Sequence, residues 1–159
     1  MRIGFGYDSH RLEVGRALVI GGVNIPYEKG LAGHSDADVL CHAIIDALLG
    51  AAHIGNIGAL FPDTDRAYRD ANSLELLRSV AGRLCANGWQ IANIDTVVVI
   101  EQPKIGGYVN RIEHTLANAC GIEPDCVSVK PKTDEGMGPV GAGKGAVSYA
   151  VCLLQATTK

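Results

Sequence analysis

Charge is scarce in this chain, and so is aromatic surface. Only 19% of its 159 residues are Asp, Glu, Lys or Arg, and 5% are Phe, Trp or Tyr. With a formal net charge of -3 there is no basic field to draw in nucleic acid. A phosphorylated ligand would have to be held by metals and backbone N–H groups. No uninterrupted apolar run approaches the roughly 20 residues that a membrane-spanning helix needs. No Cys-x-x-Cys pair occurs among Cys41, Cys85, Cys120, Cys126 and Cys152. An odd count without such spacing argues against a disulfide framework or a cysteine zinc site, and the five read as mostly buried thiols in a reducing compartment. No signal-peptide core follows the opening Met1-Arg2. The expected location is therefore cytoplasmic, and a trimmed organellar form would look the same.

What the chain does have is 47% hydrophobic residues, enough at this length for a single domain, 1–159, around one sizeable core. No linker or repeat divides it. Ile3, Phe5 and Tyr7 alternate with Arg2, Gly4 and Gly6, the period of a strand. Short strands are expected at 18–20 and 23–25 around the bend Gly21-Gly22, and others at 94–100, 127–129 and 147–151. A helix follows Ser35-Asp36, with Val39, Leu40, Ala43, Ile44, Ala47, Leu48 and Ala51 as its apolar stripe. Asp38, His42 and Asp46, four apart, form a polar stripe on another face. Residues 55–71 read as a loop, long enough to imply function or mobility. Asn72 with Glu75 resembles a capping box opening a helix to about 87, which Gly88 stops. A further helix spans 108–120 with Val109, Ile112, Leu116 and Ala119 inward and Gly121 as its stop. The order implies an α/β (α+β) sandwich, with helices covering one face of a sheet. One chain has no elements left for the other face, which points to oligomerisation.

The chemistry begins at Asp8 and His10. Residues two apart in an extended chain share a side, so both can reach one point, and His42 on the helix is a third donor. Two imidazoles and a carboxylate suit Zn²⁺, and three protein ligands leave a coordination position open. Spacing alone leaves open that these are an unrelated loop Asp, a surface His and a helix His. Asp46, one turn after His42, either accepts that ring's second N–H or is a solvated carboxylate. Ser35 or Asp36 is expected to cap the helix, whose N-terminus is an anion site.

The segment His34-Ser35-Asp36-Ala37-Asp38-Val39-Leu40-Cys41-His42-Ala43 resembles the signature of the 2-C-methyl-D-erythritol 2,4-cyclodiphosphate synthases. So do Gly4-Phe5-Gly6-Tyr7-Asp8-Ser9-His10, Ile20-Gly21-Gly22-Val23 with Ile25-Pro26, Phe61-Pro62-Asp63-Thr64-Asp65, and Lys132-Thr133-Asp134-Glu135-Gly136. The segment 141–145 matches in its glycines only. These blocks cover essentially the whole chain in the family's order.

The resemblance implies a homotrimer whose sheets, mixed in strand direction, pack around the trimer axis. It implies a metal-assisted intramolecular phosphoryl transfer on 4-diphosphocytidyl-2-C-methyl-D-erythritol 2-phosphate, with no nucleic-acid or membrane partner. Asp8, His10 and His42 would hold Zn²⁺, and Glu135 a second divalent cation, Mg²⁺ or Mn²⁺. His34, Thr133 and Glu135 would act in catalysis. Ser35, Asn56, Gly58, Phe61, Pro62, Asp63 and Asp65 would bind the phosphate and polyol end. Ile100, Pro103, Lys104, Ile105, Gly106, Lys132 and Thr133 would bind the cytidine end, with backbone amides reading the cytosine edge.

Five positions depart from the family pattern. Asn56 stands where Asp is usual, Lys132 for Thr, Ala142 for Arg, Lys144 for Glu and Phe5 for His. Ala142 has no donor for a diphosphate, so tight binding of an isoprenoid diphosphate in a central trimer channel is not expected. Two other readings stay open: a zinc-dependent phosphohydrolase, and a non-catalytic paralogue that binds cytidine nucleotides.

Overall fold

Two glycines decide how the first strand meets the first helix. In β1 (Arg2–Val14), Gly4 and Gly6 face α1 (Val39–Ala52). A Cβ on Gly4 would lie 1.8 Å from the Ala47 carbonyl oxygen, and one on Gly6 1.9 Å from that of Ala43. Bare backbone lets the helix lie directly on the strand. Alternate residues share a face, so Asp8 and His10 follow Gly4 and Gly6 on that side. Close packing therefore brings His42, on α1, opposite both.

The computed structural model describes residues 1–68 and 70–157. Arg69, within the loop expected at 55–71, lies outside them, as do residues 158–159. β1 pairs antiparallel with β4 (Lys29–Leu31) and β7 (Gly145–Ala156). β7 pairs antiparallel with β5 (Trp89–Val99), and β5 pairs parallel with β6 (Val127–Lys132). The result is a mixed sheet of order β4-β1-β7-β5-β6, beside a separate hairpin of β2 (Leu18–Ile20) and β3 (Val23–Ile25). α1, α3 (Ser73–Ala86) and α4 (Val109–Cys120) pack on one face, α1 against β1 and β7, α4 against β6. This is the expected α/β sandwich.

Ile44, Ile45 and Leu48 from α1 are fully buried against Ala146, Ala150, Cys152 and Leu154 of β7. Each large aliphatic contributes about 1.5–3 kcal/mol by leaving water. The opposite face is open and apolar. Ile3 is 73% exposed, Phe5 63%, Tyr7 49%, Tyr149 40% and Val151 43%. Tyr149 stacks obliquely on Tyr7 at 5.4 Å between ring centroids and on Phe5 at 6.4 Å.

Several expectations shift. β1 runs on to Val14, so Asp8 and His10 lie well within it. α1 is capped by Asp38, whose side chain accepts the Leu40 and Cys41 N–H groups, and not by Ser35 or Asp36. Two of the free donors at this helix end are thus taken by protein. Within the polar stripe of Asp38, His42 and Asp46, Asp38 is fully buried and the other two are half-buried. Residues 55–71 are not one open loop: they contain α2 (Ile57–Leu60) and a helical turn at Arg66–Tyr68. Asn72 does cap α3, but Glu75 pairs with Arg78 and does not close a capping box. The glycine-rich segment holds α5 (Gly138–Gly141), with Ala142 as its C-cap.

Candidate active site

β1 and α1 bring together the three donors expected from spacing. His10 Nε2 and His42 Nδ1 each lie 2.9 Å from Asp8 Oδ2, and 3.2 Å from one another. Among the described residues this is the one group of three or more His, Cys, Asp or Glu side chains arranged to hold a metal ion, with all ligand atoms within 4.8 Å.

The outward bonds of the two rings fix where their protons sit. His10 Nδ1 lies 2.8 Å from the Ala32 carbonyl oxygen. A carbonyl only accepts, so Nδ1 carries the proton and Nε2 turns a lone pair inward. His42 Nε2 lies 2.8 Å from Ser73 Oγ, and Ser73 Oγ donates its hydrogen to Asp36 Oδ1. The hydroxyl must then accept from His42, leaving Nδ1 bare. Two imidazole lone pairs and a carboxylate thus converge with no proton among them. Such a set repels itself unless a cation lies between, and its nitrogen and oxygen donors fit Zn²⁺. In the metal-free protein a proton can take that role. Burial opposes ionisation of Asp8, but the hydrogen bonds and charges of His10 and His42 outweigh it and hold its carboxyl well below the usual range. Burial likewise opposes protonation of His10, and Asp8 outweighs it, so the His10 value is raised.

Asp46 plays neither expected part. Its Oδ1 accepts the Ile57 N–H at 2.7 Å and ties the start of α2 to α1. Ser73 and Asp36 stand where Asp46 was expected. Sequence reading missed both, because Ser73 lies 31 residues from His42 and resembles an ordinary first helical residue. It also missed Arg16, which donates to the carbonyls of Leu31 (2.8 Å) and Ser35 (3.1 Å) and straps the segment carrying His34 and Ser35.

Beside the cluster is a cleft of about 360 Å³ lined by His10, His34, Ser35, His42, Ile57, Gly58, Phe61, Asp63, Tyr68 and Leu76. Phe61 and Tyr68 meet edge to face there, 5.3 Å between centroids. Ser35 Oγ accepts the Ala37 N–H at 3.1 Å. The His42 ring N–H beside it is itself a donor. The Ser73 hydrogen is committed to Asp36, so the Ser35 hydrogen can go to Ser73 Oγ at 3.4 Å or to a ligand oxygen in the cleft. Asn56 is occupied as the N-cap of α2, accepting the Ala59 N–H at 2.9 Å. Asn56, Pro62 and Asp65 do not line this cleft.

The remaining expected residues form a second cleft of about 410 Å³, lined by Ile100, Lys104, Ile105, Gly106, Pro131, Lys132, Thr133 and Glu135. Pro103 is outside its wall. Thr133 Oγ1 donates to Glu135 Oε1 at 2.8 Å. Glu135 holds a left-handed backbone, φ 51°, a conformation that costs a side-chain-bearing residue on the order of 1–3 kcal/mol. One exposed carboxylate suits a Mg²⁺ or Mn²⁺ ion that draws its other ligands from phosphate and water. The two clefts are separate. Asp8 pairs across the sheet with Ser148, Ser148 with Val98, and Val98 with Pro131. Three inter-strand steps of about 4.8 Å put them about 14 Å apart at backbone level.

A third cleft, of about 620 Å³ and larger than either, lies between α3 and α4. Its walls carry one charged side chain, Arg78. Nor is there a thiolate nucleophile in the core: burial pushes Cys120 up to about 12, and Cys41 and Cys152 upward as well.

The YgbB family model matches residues 1–155. The chain is 51% identical over 155 residues to a 2-C-methyl-D-erythritol 2,4-cyclodiphosphate synthase of Syntrophomonas wolfei, covering 98% of this chain and 99% of that one. It is 54% identical over 154 residues to the synthase of Symbiobacterium thermophilum, covering 97% and 98%. A solved synthase in its CDP-bound form superposes with a TM-score of 0.89 at 38% identity, over 97% of this chain and 100% of that one. The bifunctional IspDF of Campylobacter jejuni superposes at 0.93 and 35% identity, over 98% of this chain and 42% of that one. The fold, the Asp8–His10–His42 cluster and these near-full-length matches agree that the chain belongs to the YgbB family, that of the 2-C-methyl-D-erythritol 2,4-cyclodiphosphate synthases.

Proposed function

We propose that this protein converts 4-diphosphocytidyl-2-C-methyl-D-erythritol 2-phosphate to 2-C-methyl-D-erythritol 2,4-cyclodiphosphate and CMP, as a phosphorus–oxygen lyase of non-mevalonate isoprenoid precursor biosynthesis. The observation that carries this is the convergence of Asp8, His10 and His42 beside a cleft rimmed by His34, Ser35 and Asp63. An oxygen of the 2-phosphate attacks the β-phosphorus, the bond to the bridging oxygen breaks, and CMP leaves with that oxygen. The attacking phosphate is already ionised, so the barrier lies in bringing two anions together and excluding water. Asp8, His10 and His42 would hold Zn²⁺ and Glu135 a Mg²⁺ or Mn²⁺ ion, which when bound supply Lewis-acid polarisation and charge neutralisation at the phosphates.

The chain's own residues do the rest. Ser35 donates its hydroxyl hydrogen to a phosphate oxygen, and His34 at the cleft mouth supplies a second polar contact. Asp63 accepts from a polyol hydroxyl, while Phe61 and Tyr68 form an apolar wall against water. Thr133, Lys104 and Lys132 serve the nucleotide end, where Ile105, 2% exposed, anchors the segment that reads cytosine.

The working unit in this reading is a homotrimer. Two observations support it: the apolar sheet face led by Phe5, Tyr7 and Tyr149 lacks a cover in one chain, and one chain carries two clefts that do not join. Assembly would bring the metal cleft of one copy to the nucleotide cleft of the next. Five free cysteines suit a reducing, cytoplasmic setting. No helix among the described residues is long and apolar enough to cross a membrane. Incubation with the named substrate, zinc and magnesium tests the reading. CMP and the cyclic diphosphate in equal amounts are expected. An open phosphate product would mark a hydrolase, and nucleotide binding without turnover a non-catalytic relative.

A further inference from the structure

We infer that Ser73, clamped by Asp36, is the positioning residue that sets the tautomer of His42 and thereby makes it a metal ligand. The inference rests on the metal-centre reading above and extends it to residues that touch neither metal nor substrate.

Ser73 opens α3 and is fully buried. Asp36 holds it at two points: Oδ2 accepts the Ser73 backbone N–H at 3.0 Å, and Oδ1 accepts the Ser73 hydroxyl. Asp36 is itself fixed, since its backbone N–H reaches the Ala71 carbonyl at 3.1 Å and its Oδ1 also accepts the Asp38 N–H. A carboxylate can only accept, so the one hydroxyl hydrogen of Ser73 is committed to Asp36. What Ser73 offers His42 is a lone pair, and the ring must answer with Nε2–H. A neutral imidazole carries one N–H, so Nδ1, 2.9 Å from Asp8 Oδ2, is left bare. Without Ser73 the neighbouring Ser35 Oγ, 3.2 Å from Nε2, could donate to the ring as readily as accept. Nδ1 could then hold the proton and turn it toward Asp8, which blocks metal binding. The carboxylate–hydroxyl–imidazole chain thus ties the start of α3 to the metal centre, in the way outer partners commonly fix ligating histidines.

The test needs no turnover. Zinc affinity of the substrate-free protein is measured by competition with a chromophoric chelator. Ser73→Ala is expected to weaken it by roughly 10- to 100-fold and Ser73→Thr, which keeps the hydroxyl, to restore most of it. Unchanged affinity in folded Ser73→Ala overturns the inference while leaving the zinc site standing. Absence of zinc binding by the unaltered protein overturns both. Should Ser73→Ala not fold, ¹⁵N NMR of the histidine rings in the unaltered zinc-loaded protein decides. A protonated His42 Nε2 with metal on Nδ1 supports the inference, and the reverse tautomer refutes it.

Discussion

The Asp38 carboxylate accepts the backbone N–H of Gly22 at 2.7 Å, and that of Gly21 at 2.9 Å, while also capping α1 through Leu40 and Cys41. Both glycines hold left-handed backbones, φ 58° at Gly21 and 74° at Gly22, that turn their N–H groups toward it. One buried side chain therefore locks the β2–β3 turn to the helix that carries His42. Asp38→Ala would strand these donors in the core. Each unsatisfied buried group costs on the order of 1–3 kcal/mol, so a loss of about 3 kcal/mol or more is expected in urea unfolding. A change below about 1 kcal/mol would contradict this.

The metal-free centre has its own pH signature. Asp8 is held below its usual range, so its contribution is present above the unfolded carboxyl value of about 3.9 and fades as pH falls. His10 is raised, so its contribution is present below the unfolded imidazole value of about 6.5 and is lost as pH climbs through the higher folded value. The pair should stabilise the apo protein most between about pH 4 and 6.5. Zinc needs His10 neutral, so the zinc-induced rise in Tm should be larger at pH 8 than at pH 5.5. Equal rises at both would refute the ligand assignment.

Glu135→Gln should leave zinc content intact and raise the magnesium concentration for half-maximal activity roughly tenfold or more, as expected for losing the charge of a hard-ion ligand. The Thr133 hydroxyl can still donate to the amide oxygen, which preserves local structure. An unchanged magnesium titration would remove Glu135 from the metal assignment.

Shared sites predict complementation. His42→Ala and Glu135→Ala, each inactive alone, should regain part of the activity when unfolded together and refolded into mixed trimers, because some boundaries then join two intact half-sites. Light scattering that reports a stable, active monomer would defeat the assembly.

Periodicity made the helices and long strands legible, because burying one face imposes a period of 2 or 3.6 on the sequence. The Asp8–His10 pair was legible for the same reason, and His42 through its family motif. Contacts between distant segments were not. Asp46 read as a partner of His42 because it lies one turn away, whereas Ser73, from α3, takes that place. Asp38 read as part of a polar stripe, since nothing local reveals that Gly21 and Gly22 aim donors at it. β4, α2 and α5 are three or four residues long, too short to carry a period. The same limit hid the helical turn that ends at Ala142.

Turnover in H₂¹⁸O tests intramolecular transfer most directly. If the 2-phosphate is the nucleophile, no water oxygen enters either product. ³¹P NMR should then give an unlabelled cyclic diphosphate and unlabelled CMP in equal amounts, with both lost in His42→Ala. An ¹⁸O-labelled phosphate on the methylerythritol product or on CMP would establish water as the nucleophile and contradict the cyclisation assigned to the Asp8–His10–His42 centre.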